Sequence, residues 1–229
     1  MWAIIKKEFK QYFLSPIGYI YIGVFMLVYS MTFYRYIFTQ QSMLLNQIYG
    51  YWLILITVPI MVSLLTMRMF AEERKTGTEQ LLLTSPTSIT RIVLGKFIAA
   101  TFVVLIANIV AILYAFILKY FGSPDLKTFF VSFLGFTLFI LVFVSFGMFA
   151  SSLVENQVIA ATLSVVFFIA SVFIPEIFTK LEFLSPVNAF AGSFLSGTIS
   201  ISSLVLLISY IVLFFIFTVM VMQRRKMVK

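Results

Sequence analysis

Two adjacent carboxylates, Glu72 and Glu73, sit in the densest charge cluster of the chain, Arg68 to Glu79 (RMFAEERKTGTE). Paired carboxylates can share acid–base work, one giving a proton while the other takes one. That chemistry needs companions this sequence does not supply. Histidine is absent, which removes the commonest general base and metal ligand. Cysteine is absent too, and with it a thiol nucleophile, a thiolate metal site and any disulfide framework. Gly95-Lys96 has the ending of a phosphate-binding loop, but Phe97 stands where a hydroxyl is needed and Thr90 where the first glycine belongs. No catalytic, metal-binding or cofactor-binding residue is therefore assigned, and the chain is not read as an enzyme. The cluster reads instead as a surface presented to another protein.

The elements around the cluster must live in lipid. The chain has 229 residues, 62% of them hydrophobic and only 10% charged, and its mean hydropathy is +1.11. A soluble core of this size could not hide so much apolar surface. A bilayer span takes roughly 20 apolar residues. Six segments qualify, at about 17–38, 52–70, 97–118, 129–149, 158–174 and 204–222. The fold class is thus all-α and membrane-integral, and residues 1–229 form a single domain. The N-terminal apolar run is too long for a secretory signal and is read as retained.

Orientation follows from the basic residues. Twelve of the sixteen fall at the N-terminus (Lys6, Lys7, Lys10), between spans two and three (Arg68, Arg74, Lys75, Arg91, Lys96) and at the C-terminus (Arg224, Arg225, Lys226, Lys229). The opposite side holds Arg35, Lys119, Lys127 and Lys180. The positive-inside rule puts both termini in the cytoplasm, as an even number of spans requires. The formal net charge of +8 points to anionic lipid headgroups and not to nucleic acid.

Shorter elements carry their own signals. Trp2, Ile5, Phe9 and Phe13 recur at helical spacing, with lysines on the remaining face. The spacing predicts an interfacial helix over 1–14, lying on the inner leaflet and stopped by Ser15-Pro16. Thr76-Gly77-Thr78-Glu79 fits a capping box, with Glu79 reaching back to Thr76, and predicts a short helix over Glu79–Leu83. Ser85-Pro86 suits the start of a further helix leading into span three. Between spans four and five lies a short loop whose only charge is Glu155. The stretch 175–203, with Pro186, Gly192 and Gly197, is too broken to span and predicts re-entrant half-helices outside. No charge sits mid-span, whereas ion-coupled transporters and proton relays need one there. Asn108 reads as a helix–helix hydrogen bond.

The stretch Glu73-Arg74, Gly77-Thr78, Glu79, Leu81, Leu82, Leu83 and Pro86 resembles the signature of the ABC type-2 permeases, the membrane subunits of one class of exporter. Phe13–Tyr19 (FLSPIGY) and Phe183–Ser200 are similar to the short permeases of the gliding-motility and copper-maturation type. The resemblance covers the whole chain. It implies six spans, an amphipathic N-terminal helix, a coupling helix between spans two and three, and re-entrant helices before span six. It also implies a dimer of permeases on two cytoplasmic ATP-binding subunits, with ATP and Mg held by those partners.

On this reading the ATP-binding subunit docks on Glu72 to Leu83, with Leu81 and Leu82 as apolar knobs and Glu73, Arg74 and Glu79 docking or bracing the loop. Glu155 marks a second, smaller contact, and Pro186, Gly192 and Gly197 belong to an external gate. The second permease is a copy or a paralogue, membrane lipid bathes the spans, and an extracytoplasmic protein is a possible further partner. An aromatic and aliphatic path favours a lipid-like, peptide or amphiphilic cargo. The competing readings are a membrane subunit that passes ATPase motion to an extracytoplasmic protein, and an ATP-independent channel or scramblase. The expected location is a bacterial inner membrane.

Overall fold

The structure, a computed structural model, describes residues 2–35, 46–80, 87–121 and 124–228. Two helices open the chain, α1 (Trp2–Leu14) and α2 (Pro16–Tyr34). A single turn, α3 (Asn46–Gly50), precedes α4 (Trp52–Thr66) and α5 (Arg68–Lys75). Then come α6 (Ile89–Phe121), α7 (Leu126–Leu153) and α8 (Gln157–Ile177). Two 3-10 turns, Thr179–Leu184 and Phe194–Ser196, flank α9 (Pro186–Ser193), and α10 (Ile201–Val228) closes the chain. Among the described residues, six helical stretches are long and apolar enough to cross a bilayer: α2, α4 with α5, α6, α7, α8 and α10. The protein is an all-α, six-span membrane protein.

The helix runs on past residue 70, the expected end of the span, as far as Lys75, where the sequence reading made the charge cluster a loop; residues 76–78 are a turn. Ala71-Glu72-Glu73-Arg74-Lys75 is a run of strong helix formers, and the span carries on through it. Met69, Phe70, Ala71 and Glu73 form its buried face. Arg74 and Lys75 fall in its last turn, where cations suit the helix dipole.

α7 is the central strut, in contact with α3 to α6, α8, α9 and α10. Its phenylalanines explain why. Phe136 and Phe139 meet Phe190 of α9 at ring separations of 5.7 and 5.4 Å. Two turns on, Phe146 stacks on Phe167 of α8 at 4.0 Å and meets Phe214 of α10 edge-on at 4.9 Å. Such pairs add to plain apolar burial. Asn108 bonds as expected: its amide donates to Thr137 Oγ1 at 2.9 Å and its carbonyl accepts from Tyr49 at 3.3 Å, joining α3, α6 and α7.

The segment before α10 is folded onto the bundle. Phe190 and Phe194 are fully buried, and Ser132 donates to the Phe194 carbonyl at 2.7 Å. Pro186 opens α9 behind Ser185, whose hydroxyl accepts from the Asn188 amide at 3.2 Å. Gly197 is needed for its backbone: φ is +75°, and a side chain there would run into Thr128 at the start of α7. At Gly192 a side chain would meet nothing within 4 Å.

Candidate functional site, a charged hub at one end of the bundle

α1 carries Glu8 inside its apolar stripe, one turn from Ile5, and both are buried. A carboxylate there needs a cation, because an unpaired buried charge is costly. Lys96, in the second turn of α6, supplies it. Its ammonium lies 3.0 Å from Glu8 Oε2 and 2.9 Å from Glu73 Oε1, with only 2% of its side chain exposed. Phe70 places its ring 5.2 Å from the same ammonium. Lys7, largely in solvent, stands 3.9 Å from Glu8 and 4.0 Å from Glu73. Two carboxylates and one buried lysine thus tie α1, α5 and α6 together.

A second cluster adjoins the first. Arg74 donates to the Ser152 carbonyl at 2.6 Å and lies 3.5 Å from Glu79 Oε2. Arg225, near the end of α10, reaches Glu79 Oε1 at 3.3 Å and the Leu153 carbonyl at 3.2 Å. Glu79 is buried between two guanidinium groups. The last carbonyls of α7, without partners inside their own helix, take both arginines. The N-terminal and C-terminal helices therefore meet the bundle at the same end.

The capping box does not form. Thr76 sits at the end of α5, and its hydroxyl donates back to the Glu72 carbonyl at 2.9 Å. Gly77 then turns the chain with φ +74°, a conformation that favours glycine. Thr78 donates to the Glu73 carbonyl at 3.3 Å. Glu79 turns to the arginines because charge-assisted bonds are the stronger ones. Of the helix expected over Glu79–Leu83, residues 79 and 80 are described, and both are helical. Leu81, Leu82, Leu83, Ser85 and Pro86 lie outside the described residues, and α6 begins at Ile89, with the Ser88 carbonyl accepting its first bonds.

The two stretches expected to touch a cytoplasmic partner border one open groove of about 520 Å³, lined by Arg74, Gly77, Glu79, Gln80, Leu153, Glu155 and Arg225. Glu155 is exposed on its rim, beside Asn156, which caps α8. Glu72 is half-exposed, 4.0 Å from Arg68. Pro186, Gly192 and Gly197 belong to the α9 region described above, apart from this hub.

A model of the ABC-2 family transporter proteins matches residues 2–227. The chain belongs to the ABC-2 transporter family. No curated protein matches it. ABC-2 permeases are non-catalytic transport subunits, and they generally partner with ATP-binding cassette subunits.

In this permease, Ile5, Phe9 and Phe13 face protein. Ile5 is buried, Phe9 meets Phe102 of α6 at 6.4 Å and Phe13 meets Tyr19 at 5.5 Å, while Trp2 is 73% exposed. Sequence reasoning missed Glu8, the pairing role of Lys96 and Arg225, and Ser151, whose hydroxyl bonds to Met67, Phe70 and Ala71. A lone acid on an apolar stripe and a lone lysine at the head of a span were the available signals for the first pair. Nothing in the sequence marks Ser151 apart from its neighbours.

Proposed function

We propose that this chain is the membrane-spanning subunit of an ATP-driven exporter of the short gliding-motility or copper-maturation type. It pairs with a second copy or a paralogue and docks on two ATP-binding subunits, which hold ATP and Mg. The observation that carries the reading is the hub. The groove beside Gly77, Glu79 and Glu155 is backed by ion pairs that run to α1, α6 and α10. A push on that groove has a rigid route into several spans at once. Ion pairs that join α1, α5, α6 and α10 suit force transmission better than passive filling.

The excess of basic residues orients this end toward the cytoplasm of a bacterial cell. There α1 lies along the inner leaflet with Lys6, Lys7 and Lys10 toward headgroups. The segment from Glu79 to Leu83 serves as the coupling element, with Leu81 and Leu82 as its apolar contacts. Glu73, Arg74 and Glu79, all drawn inward, brace the loop, so the docking contacts themselves fall to Glu72, the leucines and Glu155. Closure of the ATP-binding subunits rocks the spans as rigid bodies, and the Pro186–Gly197 segment gates the outer end. A lipid-like, peptide or amphiphilic cargo fits spans without central charges.

Co-expression with the neighbouring genes and purification in mild detergent tests this. A stoichiometric ATP-binding subunit with ATPase activity supports it. A chain that purifies alone refutes it and favours the channel or scramblase reading.

A further inference from the structure

The second span runs on past Met67, but its hydrogen-bond ladder is interrupted there. Met67 keeps helical angles (φ −54°, ψ −29°), and its amide still donates to the Ser63 carbonyl at 3.0 Å. In an unbroken helix the amides of Phe70 and Ala71 donate to the carbonyls of Thr66 and Met67. Here both donate to Ser151 Oγ instead, at 3.0 and 3.1 Å. The same hydroxyl donates to the Met67 carbonyl at 2.9 Å. One hydroxyl, accepting twice and donating once, is at its full bonding capacity, and Ser151 is wholly buried. A side chain inserted into the helical ladder in this way is a recognised cause of a bend.

α7 is shaped to make the insertion. Gly147 lies one turn before Ser151, and a side chain there would overlap Thr66 at the end of α4. The small residue lets the helices approach, and the hydroxyl then enters the break. Beyond the break, α5 is held by Lys96 of α6 and by the Ser152 carbonyl of α7.

We propose that Ser151 is the positioning residue of a hinge in the second span, about which Arg68–Lys75 turns as a short rigid lever. Three bonds to one rotatable hydroxyl can be remade through small rotations, whereas a continuous ladder would stiffen the joint. The lever's use in coupling rests on the ATP-driven reading above; the hinge itself does not.

Amide exchange, followed by mass spectrometry on the full chain in lipid nanodiscs, tests both. Ser151→Ala leaves two buried amides and one carbonyl without partners, so exchange at Phe70 and Ala71 should rise about tenfold or more. The amides of Phe139 to Val144 should not change, and Ser151→Thr, which keeps the hydroxyl, should restore protection. Should the alanine variant not fold, Ser151→Cys, a weaker donor and acceptor, takes its place. In the complex with its ATP-binding subunit, vanadate trapping should alter exchange at Phe70 and Ala71 but not at Val58 to Val62. Unchanged exchange in the alanine variant overturns the hinge. Unchanged exchange on trapping, in a complex that hydrolyses ATP, overturns the lever. If no ATP-binding subunit associates, the transporter reading fails, while the alanine and threonine variants still decide the hinge.

Discussion

Replacing Lys96 by methionine keeps most of the side-chain volume and removes the only buried cation of the first cluster. Glu8 and Glu73, whose side chains are 8% and 10% exposed, are then left facing each other. The remaining cation is Lys7, 65% exposed and at 3.9 to 4.0 Å. Breaking a buried pair by deleting one partner costs about 3–5 kcal/mol. Two stranded acids push the cost upward, while proton uptake and a closer approach of Lys7 pull it back. We expect a loss of about 4 kcal/mol, which for a chain of this length lowers Tm by on the order of 10 °C. The triple variant Glu8→Gln, Glu73→Gln, Lys96→Met should recover most of that loss, since a neutral set carries no charge-burial penalty. Thermal unfolding in detergent measures all three proteins. A Lys96→Met protein melting within about 2 °C of the parent, or a triple variant no better than the single one, would refute the buried-cluster reasoning.

Three further outcomes follow from the same geometry. Gly197→Ala forces a side chain into left-handed backbone and against Thr128; it should cost about 1–2 kcal/mol or more, read as a lower Tm. Arg225→Ala removes a contact to Glu79 and one to the Leu153 carbonyl, but its side chain is 27% exposed and Arg74 remains. A loss of about 1 kcal/mol or less is expected, with weakened α10 anchoring visible as faster proteolysis near Arg224. Asp125 caps α7, and its carboxyl is held below the ordinary value of 3.8 by hydrogen bonds from the Thr128 hydroxyl and amide and from the Lys127 amide. Its contribution is fully present above that ordinary value and is lost as pH falls through the lowered folded one. Asp125→Ala should therefore remove part of the acid dependence of stability and leave stability at strongly acid pH unchanged.

The spans were legible because lipid demands long apolar runs, and no packing detail can override that. Asn108 was legible for the same reason, since a lone amide in a span needs a partner. The helical state of Ala71–Lys75, beyond the expected end of the span at residue 70, was hidden because charge pointed to a solvated loop, although Ala71 and Glu73 are buried. The capping box was legible as a pattern and wrong as a structure. Two arginines, one of them from the far end of the chain, outbid a local amide for Glu79. The Glu8–Lys96–Glu73 cluster joins three separate helices, and no local spacing encodes such a meeting. Ser151 is the extreme case: its role depends on the backbone of a different span.

The groove beside Gly77 and Glu155 is proposed to receive an ATP-binding subunit. The chain has no native cysteine, so Glu155→Cys or Lys75→Cys introduces a single reactive thiol. Each variant is to be co-expressed with the ATP-binding subunit and treated with a short homobifunctional or photoactivatable cross-linker. Both positions should cross-link to that subunit, less so in the presence of Leu82→Ala, and an Asn188→Cys control at the other end should not. Cross-links absent at Glu155 and Lys75, in a complex that otherwise hydrolyses ATP, would contradict this docking.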